Sequence, residues 1–235
     1  MDELDGAHPL LVISPHLDDA VLSCAQLINS HPGSTILTVL AGYVSGLHSG
    51  WSAQTTGLPI ARDANLIRRQ EDLAASTLLG AQSVWEDVLA QEYGPGDEPH
   101  TRILAIREAI TAAVEATTPP ETIVIPLGLT HPDHILVSDV ALQAVLASRR
   151  TAYVYMEMPY GQARPFHARR RLRHVGRRFV VGPRVSFVGD AQKKAESVAA
   201  YLSQIGALRD GFGNRFTKVF TDPERYWHIR PRDAS

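Results

Sequence analysis

Four short apolar runs limit what this chain can fold into. LLVIS at 10–14 is a continuous apolar run, and STILTVL at 34–40, ETIVIPLG at 121–128 and TAYVYMEM at 151–158 read as further strands rich in apolar residues. Such runs suit strands buried on both faces, as in a parallel sheet covered by helices. Helical patterns separate them. Residues 18–29, DDAVLSCAQLIN, carry Val21, Leu22, Ala25, Leu27 and Ile28 at helical spacing. Residues 61–79 read as a helix ending at Gly80, 101–117 as one stopped by Pro119 and Pro120, and 131–148 as a third. AQSVWED holds a short further strand. Alternation of this kind predicts βαβ units and an open, mainly parallel sheet. After residue 160 the rhythm changes. RRFVVGPRVSFVG reads as a β-hairpin turning at Gly182-Pro183, and 190–208 as a helix from an acidic N-cap. Residues 41–60 and 94–99 read as loops.

Size and composition exclude several classes. A chain of 235 residues fits one large domain and buries a core without staples. The net charge of −2 argues against a dedicated nucleic-acid or membrane-surface protein. One cysteine, Cys24, excludes an internal disulfide framework and fits a reducing compartment; it reads as buried and unreactive. No apolar run approaches the ~20 residues of a membrane span, and MDELDGAHP lacks the basic start of an export signal, so a cytoplasmic location is expected.

Two clusters carry chemistry. Ser14-Pro15-His16-Leu17-Asp18-Asp19 lies where the first strand meets the first helix, and His131-Pro132-Asp133-His134 follows ETIVIPLG in the same way. Ligands of open α/β sheets bind beyond the C-terminal ends of strands. A plainer account is open for each cluster alone: Asp18 and Asp19 as helix caps, Pro132 and Asp133 as an ordinary helix start. Together they say more, because parallel strands bring both to one rim of the sheet. His16, Asp19 and His134 are three zinc-type ligands that leave a coordination position open. Asp18 is then available as general base, and His131, protonated, to steady an oxyanion. Zinc lowers the pKa of bound water to ~7 and polarises a carbonyl, which suffices for amide hydrolysis. Another divalent metal is compatible with such a site.

PHLDDAVLSCAQL resembles the PHPDDE-type motif of the PIG-L/LmbE-like zinc-dependent N-deacetylases, and HPDH resembles their second metal motif. Arg68-Arg69-Gln70-Glu71 with Ala74, Ala75 and Leu79-Gly80, then Lys194, Ser203-Gln204 and Glu224-Arg225-Tyr226-Trp227, are similar to weaker signatures of the family in the right order. The resemblance implies a Rossmann-like α/β fold, to which the C-terminal hairpin and helix are appended. It also implies a mononuclear zinc site and removal of an acyl group, usually acetyl, from an amino sugar or related amine. His16, Asp19 and His134 match the metal ligands, Asp18 the base, and His131 the residue that steadies the oxyanion and assists the leaving amine. Asp133 matches a residue expected to tune His131 by hydrogen bonding, and Arg68 a substrate-contacting base. Leu17 stands where the family has Pro, and Ala20 where many members have Glu, which marks a sub-branch.

The expected partner is a small N-acyl molecule, with neither nucleic acid nor membrane; a homo-oligomer is compatible. Cleavage of another N-acyl natural product, or silent sugar binding in the same pocket, stays open. Tyr160 and Glu157 lie where loops shape the substrate pocket, and His48 and Trp51 lie in a loop that can cover it. The seven arginines of 164–178 read as a solvated hairpin or loop surface, or as an anion-binding segment. Neither GxGxxG nor GxxxxGK[ST] occurs, so no dinucleotide or P-loop chemistry is supported.

Overall fold

The structure, a computed structural model, describes residue 4 and residues 8–47, 49–93, 99–118 and 121–232. The readings at His48, at 94–98 and at Pro119 and Pro120 lie outside the described residues. Seven strands form one sheet in the order β3-β2-β1-β4-β5-β7-β6. β1 (Leu10–Ser14), β2 (Thr35–Thr38), β3 (Gln82–Trp85), β4 (Thr122–Pro126) and β5 (Ala152–Tyr155) run parallel. β6 (Phe179–Phe187) and β7 (Glu224–Pro231) close one edge antiparallel. The mixed α/β architecture with a mainly parallel, Rossmann-like sheet is the one expected.

The sheet is covered on both sides because its central strands carry apolar residues on both faces. Alternate residues point to opposite faces. Leu11 and Ile13 of β1 therefore join one core with Ile123 and Ile125 of β4. Leu10 and Val12 join the other with Val124. The second core is built on α1 (Asp19–Asn29), where Val21, Leu22, Ala25 and Ile28 are buried. The first takes Val137, Ala141 and Val145 from α5 (Pro132–Ala147), with Ile106 and Ile110 from α4 (Pro99–Ala116). Each such Val, Leu or Ile side chain stabilises by about 1.5–3 kcal/mol when fully buried. The strand order reverses between β1 and β4, so a crevice opens beyond their C-terminal ends.

Several local expectations are corrected. The stretch 41–60 is not all loop: it carries a short helix, α2 (Trp51–Thr56), whose first turn is tied down by a remote carboxylate. Glu92 accepts from Ser52 N at 2.8 Å and Ser52 Oγ at 2.7 Å, a partner that no local pattern reveals. Gly182-Pro183 makes no hairpin turn. Both residues lie inside β6, at a register shift between Val181 and Arg184. β6 is an edge strand, where a proline without an N–H and a bulge are both tolerated. β6 pairs instead with β7, far along the chain. Part of the arginine-rich segment is a helix, α7 (Pro165–Val175), with Ala168 and Val175 buried seven residues apart. The long helix expected over 190–208 is two, α8 (Ala191–Ala199) and α9 (Leu202–Phe212). Tyr201 breaks it: the side chain is buried and its hydroxyl donates to Asp72 Oδ1 at 2.8 Å on α3 (Ala61–Leu78). Two short helices, α6 (Tyr160–Ala163) and α10 (Lys218–Thr221), complete the chain. No helix among the described residues is long and apolar enough to cross a membrane.

Candidate active site

The site lies at the crevice between β1 and β4. The first loop is held by Ser14, whose hydroxyl donates to His16 O at 2.7 Å and accepts from Ala20 N at 3.1 Å. That grip turns the chain sharply, and Asp18 sits at φ 120°, a conformation that L-residues rarely adopt. Asp18 makes no cap hydrogen bond to α1. The Asp19 carboxylate turns back instead, its Oδ2 accepting from His16 N at 3.0 Å. Plain helix capping therefore does not account for either acid.

The second loop leaves β4 through Gly128, at φ +86°, where an added Cβ would stand 2.7 Å from Ser138 Cβ. His131 then caps α5, its Nδ1 accepting from Asp133 N at 3.2 Å, with Pro132 opening the helix. One helical turn carries His134 under the same rim. The three imidazoles form a triangle, with ring centroids 5.1 Å (His16–His131), 5.2 Å (His16–His134) and 5.1 Å (His131–His134) apart.

Within that triangle, His16 Nδ1 lies 3.2 Å and His134 Nε2 3.1 Å from Asp19 Oδ2. His16, Asp19 and His134 thus offer three ligand atoms within 4.8 Å of one another. The donor set suits a divalent cation on two grounds. Both ring nitrogens of His134 are buried without a formed hydrogen bond. The charges also match. Of the four acids around the imidazoles, Asp18 lies 3.7 Å from Arg68, and Asp133 is ion-paired with Arg102. Asp19 and Glu157 have no lysine or arginine partner among the described residues, and their two negative charges equal the charge of such an ion.

The protonation states follow from burial and charge. Burial, with the Asp19 charge beside it, pushes the Asp18 carboxyl up to about 7, against the pull of Arg68. Burial, reinforced by His16 and His134, pushes His131 down to about 4. Its Nδ1 already accepts a backbone proton, so His131 is neutral and offers an Nε2–H. The protonated His131 expected above is therefore corrected to a neutral donor. Burial opposes charge on His134 too, but Asp19 and Glu157 push it up to about 10 in the absence of an ion.

Asp133 also departs from expectation. Its carboxylate makes no hydrogen bond to His131; Oδ2 accepts from His16 Nε2 at 3.0 Å and from Gln91 N at 2.9 Å, while Oδ1 meets Arg102. The reason is the cap: the Asp133 backbone N–H already occupies His131 Nδ1, and the side chain swings to His16. Asp133 thereby holds the His16 ring by Nε2 and turns Nδ1 toward Asp19.

A cavity of about 560 Å³ opens above these groups. His16, Asp18, Asp19, His131 and Asp133 line its polar floor, with Arg68 and Glu92 beside them. Arg68 donates to Ser52 Oγ at 2.9 Å and to Leu17 O at 3.0 Å, so it braces α2 and the first loop. The opposite wall is apolar and comes from Trp51, Tyr160, Leu208 and Phe212. Tyr160 packs edge-on against both His134 and Phe212. Sequence reasoning missed the α9 wall, Glu92 and Arg102, which no spacing links to the motifs. Glu157 was expected at the pocket, but it is fully buried beneath the site and accepts from Gly128 N at 2.8 Å and Leu129 N at 2.7 Å. Cys24 is buried, as expected, and burial pushes its thiol well up.

Residues 11–145 match the family model described as PIG-L, GlcNAc-PI de-N-acetylase. No curated protein matches the chain. Among solved structures, the A40926 pseudoaglycone deacetylase Dbv21 is 25% identical with a TM-score of 0.76, over 98% of this chain and 100% of that one. A triple mutant of a deacetylase of the teicoplanin biosynthetic pathway is 24% identical with a TM-score of 0.77, over 97% and 100%. The teicoplanin deacetylase Orf2, in a zinc-inhibited form, is 24% identical with a TM-score of 0.75, over 97% and 100%. These likenesses show a shared fold over nearly the whole chain.

Proposed function

The chain belongs to the PIG-L, GlcNAc-PI de-N-acetylase, family, and we propose that it is a zinc-dependent N-deacetylase of an acetylamino sugar carried on an apolar aglycone. The observation that carries this reading is the convergence of His16, Asp19 and His134, with Asp18 and His131 beside them on the floor of one cavity. His16, Asp19 and His134 would hold the cation. A zinc ion held there supplies Lewis acidity toward the acyl carbonyl and lowers the pKa of water.

The remaining steps belong to the chain itself. The Asp18 carboxylate takes a proton from water as the water oxygen bonds to the acyl carbon. Its raised pKa suits that task near neutral pH. His131 Nε2–H donates to the carbonyl oxygen as negative charge gathers there. The C–N bond then breaks, and Asp18 returns the proton to the departing nitrogen. Neutral His131 is the poorer proton source, because losing Nε2–H would leave it anionic. Acetate and the amine are the products. The wall of Trp51, Leu208 and Phe212 offers apolar surface suited to an apolar group beside the sugar, which supports an aglycone-bearing substrate. Asp133 holds His16, and Arg68 and Tyr160 border the substrate space.

The test is acetate release from N-acetylglucosamine and from its aryl glycosides, alongside metal analysis. The expected result is release that a chelator abolishes and zinc restores, with the aryl glycoside preferred. Absence of release from every N-acetyl glycoside, with zinc bound, would sink the reading.

A further inference from the structure

Glu157 is the one acid of the site whose place in the fold has no ordinary explanation. It follows β5, next to β4 in the sheet, and its side chain is 0% exposed. No arginine or lysine approaches it among the described residues, and its Oε2 has no hydrogen-bond partner. Burying an uncompensated carboxylate is costly, and a protein tolerates it where another charge balances it. Two backbone N–H groups, of Gly128 and Leu129, point at Oε1. They brace the loop into HPDH but carry no full charge. The third group facing Oε1 is His134 Nδ1, at 3.5 Å. Its other nitrogen, Nε2, faces Asp19 Oδ2 at 3.1 Å. The imidazole is thus held between two buried carboxylates, one on the cavity side and one behind it.

We propose that Glu157 is a positioning residue for His134: it keeps the proton on Nδ1, so that the Nε2 lone pair faces Asp19, and it supplies the second negative charge that a divalent cation balances. The inference rests on His134 being a ligand, as in the proposed function. It extends to the second imidazole the arrangement by which Asp133 holds His16. Outer carboxylates of this kind orient a ligating histidine and raise its basicity, and their loss typically costs about 10- to 100-fold in metal affinity.

The test is Glu157→Gln. The amide oxygen can still accept from Gly128 and Leu129, so the loop keeps its brace while the charge goes. Zinc affinity is measured by competition with a chelating dye, and the visible spectrum of the cobalt-loaded protein reports ligand geometry. The expected result is zinc binding about 10-fold weaker or more, an altered cobalt spectrum, and an unfolding midpoint of the metal-free protein no lower than wild type. A purely bracing role would leave zinc affinity and the spectrum unchanged, and binding within twofold of wild type overturns the inference. Histidine ¹⁵N resonances of the zinc-loaded wild type give a check that needs no variant: a proton on Nδ1 of His134 supports it, a proton on Nε2 overturns it. A wild type that binds no divalent cation overturns the site reading and this inference together. Loss of zinc affinity in Glu157→Gln, with no acetate release by the zinc-loaded wild type from any substrate, overturns the deacetylase reading alone.

Discussion

Two buried acidic clusters lean on α1, and they are balanced in opposite ways. At its first turn lies Asp19, which with Glu157 flanks His134, and neither acid has a lysine or arginine partner among the described residues. Near its C-terminal half, Glu224 accepts from Gln26 N at 2.9 Å, Leu27 N at 3.1 Å and the Tyr226 hydroxyl at 2.8 Å, and pairs with Lys194 Nζ at 2.8 Å. Lys194 and Glu224 are both fully buried. The second cluster is neutral within the chain and closed. It ties α1, α8 and β7 together, and it is structure. The first opens onto the cavity, and under the proposed function a cation from outside completes it. The lesson is that a buried carboxylate without an internal counter-charge marks function more sharply than burial alone.

The largest effect expected from either cluster is catalytic. Asp18→Asn should lower kcat/KM by about 10²–10⁴-fold, with zinc content per molecule unchanged by metal analysis. Turnover near wild type would remove Asp18 as the base. The closed cluster should answer in stability instead. Lys194→Met leaves Glu224 buried without its cation, at a cost of about 3–5 kcal/mol in denaturant unfolding. Adding Glu224→Gln should recover much of that loss, and zinc binding by the folded fraction should hold throughout. A stable single variant would break the contrast between the clusters.

Metal removal should separate them at the next level. With free zinc at 100 times its Kd, the wild type should gain about 2.7 kcal/mol over the chelated protein. His134→Ala should lose that difference, whereas the Lys194→Met variant should keep it. Equal midpoints with and without zinc in the wild type would argue that the open cluster needs no ion. The smallest effect is expected at the cavity wall. Trp51→Ala should raise KM for an aryl glycoside roughly tenfold with kcat little changed, as for a residue that binds ground and transition states alike. An unchanged KM would take the aglycone away from that wall.

Legibility differed by element. The parallel strands were readable because LLVIS and ETIVIPLG are apolar on both faces, which few other settings allow. α5 was readable from Pro132 onward because its cap is local. α2 was not, because Glu92 caps it from another segment. The turn at Gly182-Pro183 failed because glycine and proline mark a bulge on an edge strand as readily as a turn, and edge position is a property of the sheet. At the site, both motifs announced their residues, but not the directions of their side chains. Asp133 was expected on His131 and stands on His16, a choice made by which acceptor the cap had already used.

The weaker signatures followed the same division. Glu71 accepts from Ser203 N at 2.7 Å and Ser203 Oγ at 2.6 Å, and Lys194 meets Glu224, so residues far apart in the chain tie α9 to α3 and α8 to β7.

By itself the amino-acid order determined the alternation of strand and helix, the rim at which both histidine motifs emerge, and the types of group gathered there. Those follow from local periodicity and from the geometry of parallel strands. The fold in three dimensions decided which acid faces which imidazole, that His131 Nδ1 accepts from the Asp133 backbone, and that Glu157 lies buried beneath the site. Such outcomes depend on burial and on the sum of nearby charges, which arise where separate segments meet, His16 and Asp133 lying more than a hundred residues apart, and leave no pattern along the chain.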